Sequence, residues 1–174
     1  MTARILEKAP DFKVAAVTGK GEEREVSLAA LAGRWAVVFF YPKDFTRVCP
    51  TEIQEFSKRA GEFRAAGAEV IGVSVDDLES HRRWIQGPLG EIDIALAADP
   101  SKSMARDYGA LLEDRGVAAR ATFIVDPAGV VRYAAFHDPA TGRSISEVLR
   151  VLEALQTGEK SPAEWRPGHP TLGR

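Results

Sequence analysis

Trp35-Ala36-Val37-Val38-Phe39-Phe40-Tyr41 is an unbroken run of apolar, mostly aromatic and β-branched residues. Its length and lack of alternation suit a strand buried on both faces, as at the centre of a sheet covered by helices. Pro42 ends the run, and Pro42-Lys43-Asp44 reads as a turn. Beyond the turn, residues 49–66 carry helical periodicity. Ile53, Phe56, Ala60 and Phe63 recur at offsets of three, four and three and form one stripe. Pro50 stands near the first helical position, where its missing N–H costs nothing, and Glu52 and Glu55 complement the helix dipole. Gly67 follows as a stop.

The alternation continues in both directions. Residues 69–75 read as a strand, 77–86 as a helix and 92–98 as a strand. Asp99-Pro100-Ser101 opens another helix, with Ser101 as its expected cap. Residues 121–125 and 130–134 are strand-like, and Asp126-Pro127-Ala128-Gly129 between them makes a hairpin. Ser144 and Glu147 form a capping box. They open a helix whose buried face holds Val148, Leu149, Leu152 and Leu155, and Gly158 closes it. On the other side of the run, residues 12–18 read weakly as a strand. The order predicts an α/β three-layer sandwich with a central mixed β-sheet.

Composition narrows the function classes. The chain has 174 residues, about one domain's worth. Lys and Arg number 23 against 25 Asp and Glu, and the net charge of -2 gives no electrostatic case for nucleic acid or an anionic membrane. The run 35–41 is the longest apolar stretch, far short of the ~20 residues that span a bilayer. The first eight residues lack the apolar core of a signal peptide, so the expected location is cytoplasmic. A single cysteine, Cys49, rules out an intrachain disulfide and any multi-cysteine metal site.

Cys49 falls where a central strand has ended and a helix begins. Open α/β sheets place their sites there, and a helix N-terminus favours an anion. Both effects favour thiolate over thiol, and Arg47 adds a nearby positive charge. A lone cysteine is also a common small core residue. On residues alone, the reactive thiol and the inert buried one stay open. Other chemistries have thinner support. His81, His137 and His169 have no partners at metal-ligand spacing and read as surface residues. Gly87-Pro88-Leu89-Gly90 lacks the lysine of a phosphate loop. Asp76-Asp77 reads as a solvated helix start rather than a metal site. No metal and no cofactor is expected.

The segment Phe40-Tyr41-Pro42-Lys43-Asp44-Phe45-Thr46-Arg47-Val48-Cys49-Pro50-Thr51-Glu52 resembles the active-site signature of the peroxiredoxins, with Pro42, Thr46 and Cys49 in the pattern Pro-x-x-x-Thr-x-x-Cys. Arg120-Ala-Thr-Phe-Ile-Val-Asp126 resembles the family's segment carrying an active-site arginine, and Gly142-Arg143-Ser144 the start of its last helix. The resemblance extends to about Leu172 and is closest to the alkyl hydroperoxide reductase C, typical 2-Cys branch. It implies a thioredoxin-like fold over residues 1–157 and a thiol-dependent peroxidase acting on hydrogen peroxide and organic hydroperoxides. Cys49 is then the attacking thiolate, with Arg120 and Thr46 at the peroxide and Pro42 as a shield. Glu52 and Arg143 position the arginine. Dimers, or rings of dimers, are the implied assembly.

The chain departs from that branch in its tail. Where the branch carries a resolving cysteine, this sequence has Ser161, within Lys160-Ser161-Pro162-Ala163-Glu164-Trp165. Serine cannot form a disulfide with an oxidised Cys49, so the implied reductant is an external thiol, either a thioredoxin-like protein or a low-molecular-weight thiol. Lys160, where the branch is apolar, favours natural divergence over an engineered serine. The alternative function is a redox sensor or holdase with slow turnover. Residues 158–174, rich in Pro and Gly, read either as a frayed terminus, which composition favours, or as an arm carrying an exposed Trp165 to a partner subunit.

Overall fold

A computed structural model describes residues 2–174. The chain divides into two compact units, one ending at Arg143 and one spanning Ser144–Arg174. The first unit is built on a seven-stranded mixed sheet. In chain order its strands are β1 (Lys13–Val17), β2 (Glu23–Ser27), β3 (Trp35–Phe40), β4 (Ala68–Ser74) and β5 (Ala95–Ala98). A small two-stranded ribbon, β6 (Leu111–Leu112) with β7 (Val117–Ala118), interrupts them before β8 (Arg120–Val125) and β9 (Val131–His137). The spatial order is β2-β1-β5-β4-β3-β8-β9. Strands β3, β4 and β5 are mutually parallel, while β1 and β8 flank them antiparallel.

The central run behaves as its composition predicts. Val38 and Phe40 join a cluster with Tyr108, Phe123 and Met104 on one face. On the other face Phe39 stacks on Phe56, ring centroids 4.3 Å apart. Helices therefore cover both faces: α1 (Cys49–Lys58), α2 (Ala60–Ala65) and α3 (Leu78–Ile85) on one, α4 (Ser103–Asp107) on the other. No helix among the described residues is long and apolar enough to cross a membrane.

Several local expectations are corrected. The helix expected over 49–66 is two helices, because Arg59 (φ -99°, ψ 5°) leaves helical geometry. Its stripe of Ile53, Phe56, Ala60 and Phe63 is nonetheless buried. Ser101 is not the cap of α4. Lys102 takes that position with φ 63°, and the Asp99 carboxylate accepts from Ala105 N at 2.8 Å. Strand β2 has no counterpart in the sequence reading. Its residues Glu23-Arg24-Glu25-Val26-Ser27 are mostly charged because it is an edge strand that buries only Val26. The hairpin turn holds: Asp126 Oδ1 accepts from Ala128 N at 2.9 Å and Val130 N at 3.0 Å, and Gly129 adopts φ 77°.

The second unit holds α5 (Ile145–Gln156) and the tail. Ser144 caps α5, accepting from Glu147 N at 3.3 Å. Val148, Leu149 and Leu152 are buried, but Leu155 is only half-buried. The tail is folded rather than frayed. Lys160 N donates to Gly173 O and Leu172 N to Lys160 O, each at 2.8 Å. Trp165 is buried, not exposed, with Nε1 donating to His169 O at 2.9 Å and its carbonyl accepting from Arg150 Nη1.

Candidate active site

Cys49 is the first residue of α1 and is fully buried. Its backbone N–H lies in the first turn, where no intrahelical carbonyl is available to it. One turn later Glu52 projects from the same helix, 3% exposed. The sheet register brings the rest. β8 runs antiparallel to β3 with Thr122 opposite Phe39, so Arg120 lies at the end of β3 from which the Cys49 loop departs.

Arg120 Nη1 donates to Cys49 Sγ at 3.3 Å and to Glu52 Oε2 at 2.8 Å, while Nε donates to Pro139 O at 2.7 Å. Its Nη2 has no partner within the described residues. Arg143 is saturated. Nε and Nη2 reach Glu52 at 2.9 and 3.2 Å, Nη1 takes Ala121 O and Thr122 Oγ1, and Nη2 also takes Phe40 O at 2.7 Å. Its backbone N adds a fourth bond to Glu52, at 2.9 Å. The guanidinium also sits 5.2 Å over the Phe39 ring. Burial pulls Arg143 below its ordinary pKa, and the Glu52 carboxylate opposes that shift. Glu52 thus ties the first turn of α1 to the ends of β3 and β8, and orients one guanidinium onto the sulfur.

Four of the six expected site residues, Cys49, Glu52, Arg120 and Arg143, are therefore joined directly. The other two lie on the intervening loop. Pro42 is half-buried at the end of β3. Thr46 is exposed, and its hydroxyl donates to Lys43 O at 3.0 Å, which leaves its lone pairs to accept.

The loop has a support that the sequence reading missed. Asp44 is buried and accepts from Tyr41 Oη at 2.8 Å and Ser80 Oγ at 2.8 Å. His81 Nδ1 lies 2.7 Å from Asp44 Oδ2, and Nε2 donates to Ala97 O at 3.1 Å. His81 is thus a fully buried residue and not a surface one. Burial and the Asp44 charge hold the Tyr41 phenol well above its ordinary pKa. Asp76 accepts from Asp44 N at 2.9 Å and from Ser74 Oγ, while Asp77 caps α3 through Ser80 N. Fixed this way, the loop holds Phe45 at φ 57°, a strained conformation for a bulky residue, with its ring tilted against Trp84, centroids 5.9 Å apart. No short-range pattern announces the contact of Asp44 with His81, which are 37 residues apart.

Residues 5–134 match the profile of the AhpC/TSA family. The chain is 47% identical over 170 residues to a putative peroxiredoxin in the rubredoxin operon of Clostridium pasteurianum, covering 94% of this chain and 96% of that one. It is 47% identical to peroxiredoxin-2 of Macaca fascicularis, covering 98% and 90%. Identity to the mitochondrial thioredoxin-dependent peroxide reductase of Mus musculus is 46%, covering 98% and 70%. Two solved structures share the thioredoxin-like fold. The reduced 2-Cys peroxiredoxin of Plasmodium vivax superposes with a TM-score of 0.92 at 35% identity, covering 95% of this chain and 91% of that one. AhpC of Enterococcus faecalis gives 0.87 at 36%, covering 93% and 99%. A central mixed sheet, a buried thiol at a helix start and a guanidinium on its sulfur converge with these likenesses: the chain belongs to the AhpC/TSA family of peroxiredoxins.

Proposed function

We propose that the chain is a thiol peroxidase that reduces hydrogen peroxide and organic hydroperoxides through a sulfenic acid on Cys49. The observation that carries this is Arg120 Nη1 at 3.3 Å from Cys49 Sγ, with Nη2 left without a partner among the described residues. The Cys49 thiolate attacks the terminal peroxide oxygen. An S–O bond forms, the O–O bond breaks, and the leaving oxygen departs, after protonation, as water or an alcohol. Negative charge grows on that oxygen, and the free N–H groups of Arg120 and the backbone N–H of Cys49 suit its stabilisation. The Thr46 lone pairs suit holding the peroxide proton.

The chain has no second cysteine, so regeneration requires a thiol from outside. Relatives named as thioredoxin-dependent peroxide reductases support a thioredoxin-type reductant in the cycle. The assembly we propose is a homodimer or a ring of dimers. It is supported by exposed Phe136 on the edge strand β9 and, for a tail that meets the partner, by exposed Leu172. Cys49→Ser is expected to abolish peroxide consumption, and retention of most activity refutes the proposal. Sustained turnover with any thiol marks an enzyme. A single stoichiometric burst with every reductant favours the sensor reading, which the lack of a second cysteine motivates.

A further inference from the structure

At the end of the sheet opposite Cys49 lies a cleft of about 840 Å³, within the size range of small-molecule sites. Cys49 comes after the last residue of β3, whereas the cleft is lined by Gly33 and Arg34, just before β3 begins. About 20 Å of strand therefore separates the two. The sheet opens at this end. β4 pairs with β5 only from Ile71 onward, and β1 meets β5 over just Ala16 and Val17, so Ala68, Glu69 and Val70 have no β5 neighbour. Val70, Ile92 and Ile94 give the opening an apolar lining. Gly19 closes one wall. A Cβ there would lie 1.6 Å from Ile92 O, so the turn between β1 and β2 seats against Ile92 only as glycine.

The charges that line the cleft are unequal. Lys20, Arg24, Arg34 and Arg64 stand against Glu22, Glu69 and Asp93, which leaves one positive charge over. Lys20 and Glu22, both exposed, offset one another, and Arg64 has its own carboxylate in Asp93 at 2.6 Å. Arg24 and Arg34 instead converge on a single carboxylate. Arg24 Nη2 meets Glu69 Oε1, and Arg34 Nη2 lies 3.1 Å from Oε2. β2 and β4 are three strand intervals apart, about 14 Å, so Arg24 reaches across the opening to make its pair. Both arginines are exposed, and their Nε and Nη1 groups make no hydrogen bond with any described residue. We propose that this cleft binds a small organic anion. Its carboxylate is received by the free N–H groups of Arg24 and Arg34, and its apolar body lies against Val70, Ile92 and Ile94. One uncompensated charge selects a monoanion, and the apolar lining favours a carboxylate with a hydrocarbon body over acetate. The inference stands apart from the peroxidase reading, because no residue of the cleft belongs to the Cys49 site.

Calorimetric titration of the full chain with 1-naphthaleneacetate, 1-naphthylmethylammonium and acetate tests this. Naphthaleneacetate is expected to saturate one site per chain. The same rings on a cation should bind at least about fivefold more weakly, and acetate should show no saturable binding. Added salt should weaken the anion. Arg24→Gln and Arg34→Gln are each expected to weaken naphthaleneacetate about three- to tenfold. Glu69→Gln is expected to strengthen it by a similar factor, because both arginines lose the carboxylate that competes for them. The opposite signs separate an anion site from a clamp that only holds the fold, since loosening a clamp would weaken binding in all three. Circular dichroism shows whether each variant is folded at the titration temperature, and the comparison of anion with cation on the parent chain needs no variant. Equal binding of anion and cation, no saturation by naphthaleneacetate, an unchanged affinity in the double arginine variant, or weaker binding in Glu69→Gln overturns the inference. So does an affinity that falls as chain concentration is raised, which would put a second copy of the chain in the cleft.

Discussion

Replacing Glu52 by glutamine tests whether one carboxylate holds the site together. Glu52 accepts four hydrogen bonds: Arg120 Nη1 and Arg143 Nη2 on Oε2, and the Arg143 backbone N and Nε on Oε1. A glutamine amide nitrogen, in either orientation, turns a donor toward two donors. The substitution also leaves two buried guanidiniums, 4% and 1% exposed, without the anion between them. Removing one partner of a buried ion pair typically costs about 3–5 kcal/mol. For a chain of this size each kcal/mol moves the melting temperature by roughly 2–4 °C, so Glu52→Gln is expected to melt about 6–20 °C lower. Peroxide consumption should fall at a temperature where the variant is still folded, because Arg120 loses the anchor that directs it onto the sulfur. Thermal unfolding followed by circular dichroism, paired with a peroxide assay on the same sample, reads both effects. A variant that melts within about 2 °C of the parent, under roughly 1 kcal/mol, and keeps its rate refutes the role assigned to Glu52.

Three further outcomes are expected. Arg120→Lys keeps the charge but loses the planar fork that spans Sγ, Glu52 and Pro139, so the peroxide rate constant should drop on the order of 10²-fold in stopped-flow measurement. Ser161 Oγ is buried without a hydrogen-bond partner among the described residues, and such an orphan costs about 1–3 kcal/mol, so Ser161→Ala should melt at the same temperature or a few degrees higher; a lower melting point contradicts this. A hydrogen bond from Arg150 holds Glu147 below the usual carboxylate pKa. A depressed folded value means that the stabilisation is present above the ordinary carboxylate pKa and is lost as pH falls through the folded one. With Glu147 about half exposed, the pair contributes no more than about 0.5 kcal/mol. The melting difference between the parent and Glu147→Gln should therefore be small at neutral pH and vanish in acid.

The elements legible in the sequence are those whose burial is written in local periodicity. The run 35–41 declared a strand covered on both faces, and the stripe Ile53, Phe56, Ala60, Phe63 named the buried side of α1 and α2. That stripe cannot report the break at Arg59, because both helices bury the same side. Strand β2 escaped because an edge strand buries little and reads as a charged loop. Trp165 looked exposed among prolines and charges, yet the turn that follows it returns the His169 carbonyl to its indole. The site divides the same way. Cys49 and Glu52 sit one helical turn apart and are visible together, whereas Arg143 lies 91 residues beyond Glu52 and entered only through a motif. No local motif marks the pairing of Asp44 with His81, and burial of a histidine inside the polar string Glu79-Ser80-His81-Arg82-Arg83 runs against local composition.

The solitary sulfur also governs how copies of the chain can influence one another. When two cysteines share an oxidation, the redox state of one subunit is bonded to its neighbour, and repair of one site waits on the other. Here each chain holds its own two oxidising equivalents on a single atom. In any assembly the subunits would then oxidise and recover as independent events, so partial oxidation should give a binomial spread of masses with no pairwise correlation. Graded exposure to peroxide is recorded as a fraction of switched subunits, and its memory lasts until a thiol reaches each sulfur in turn.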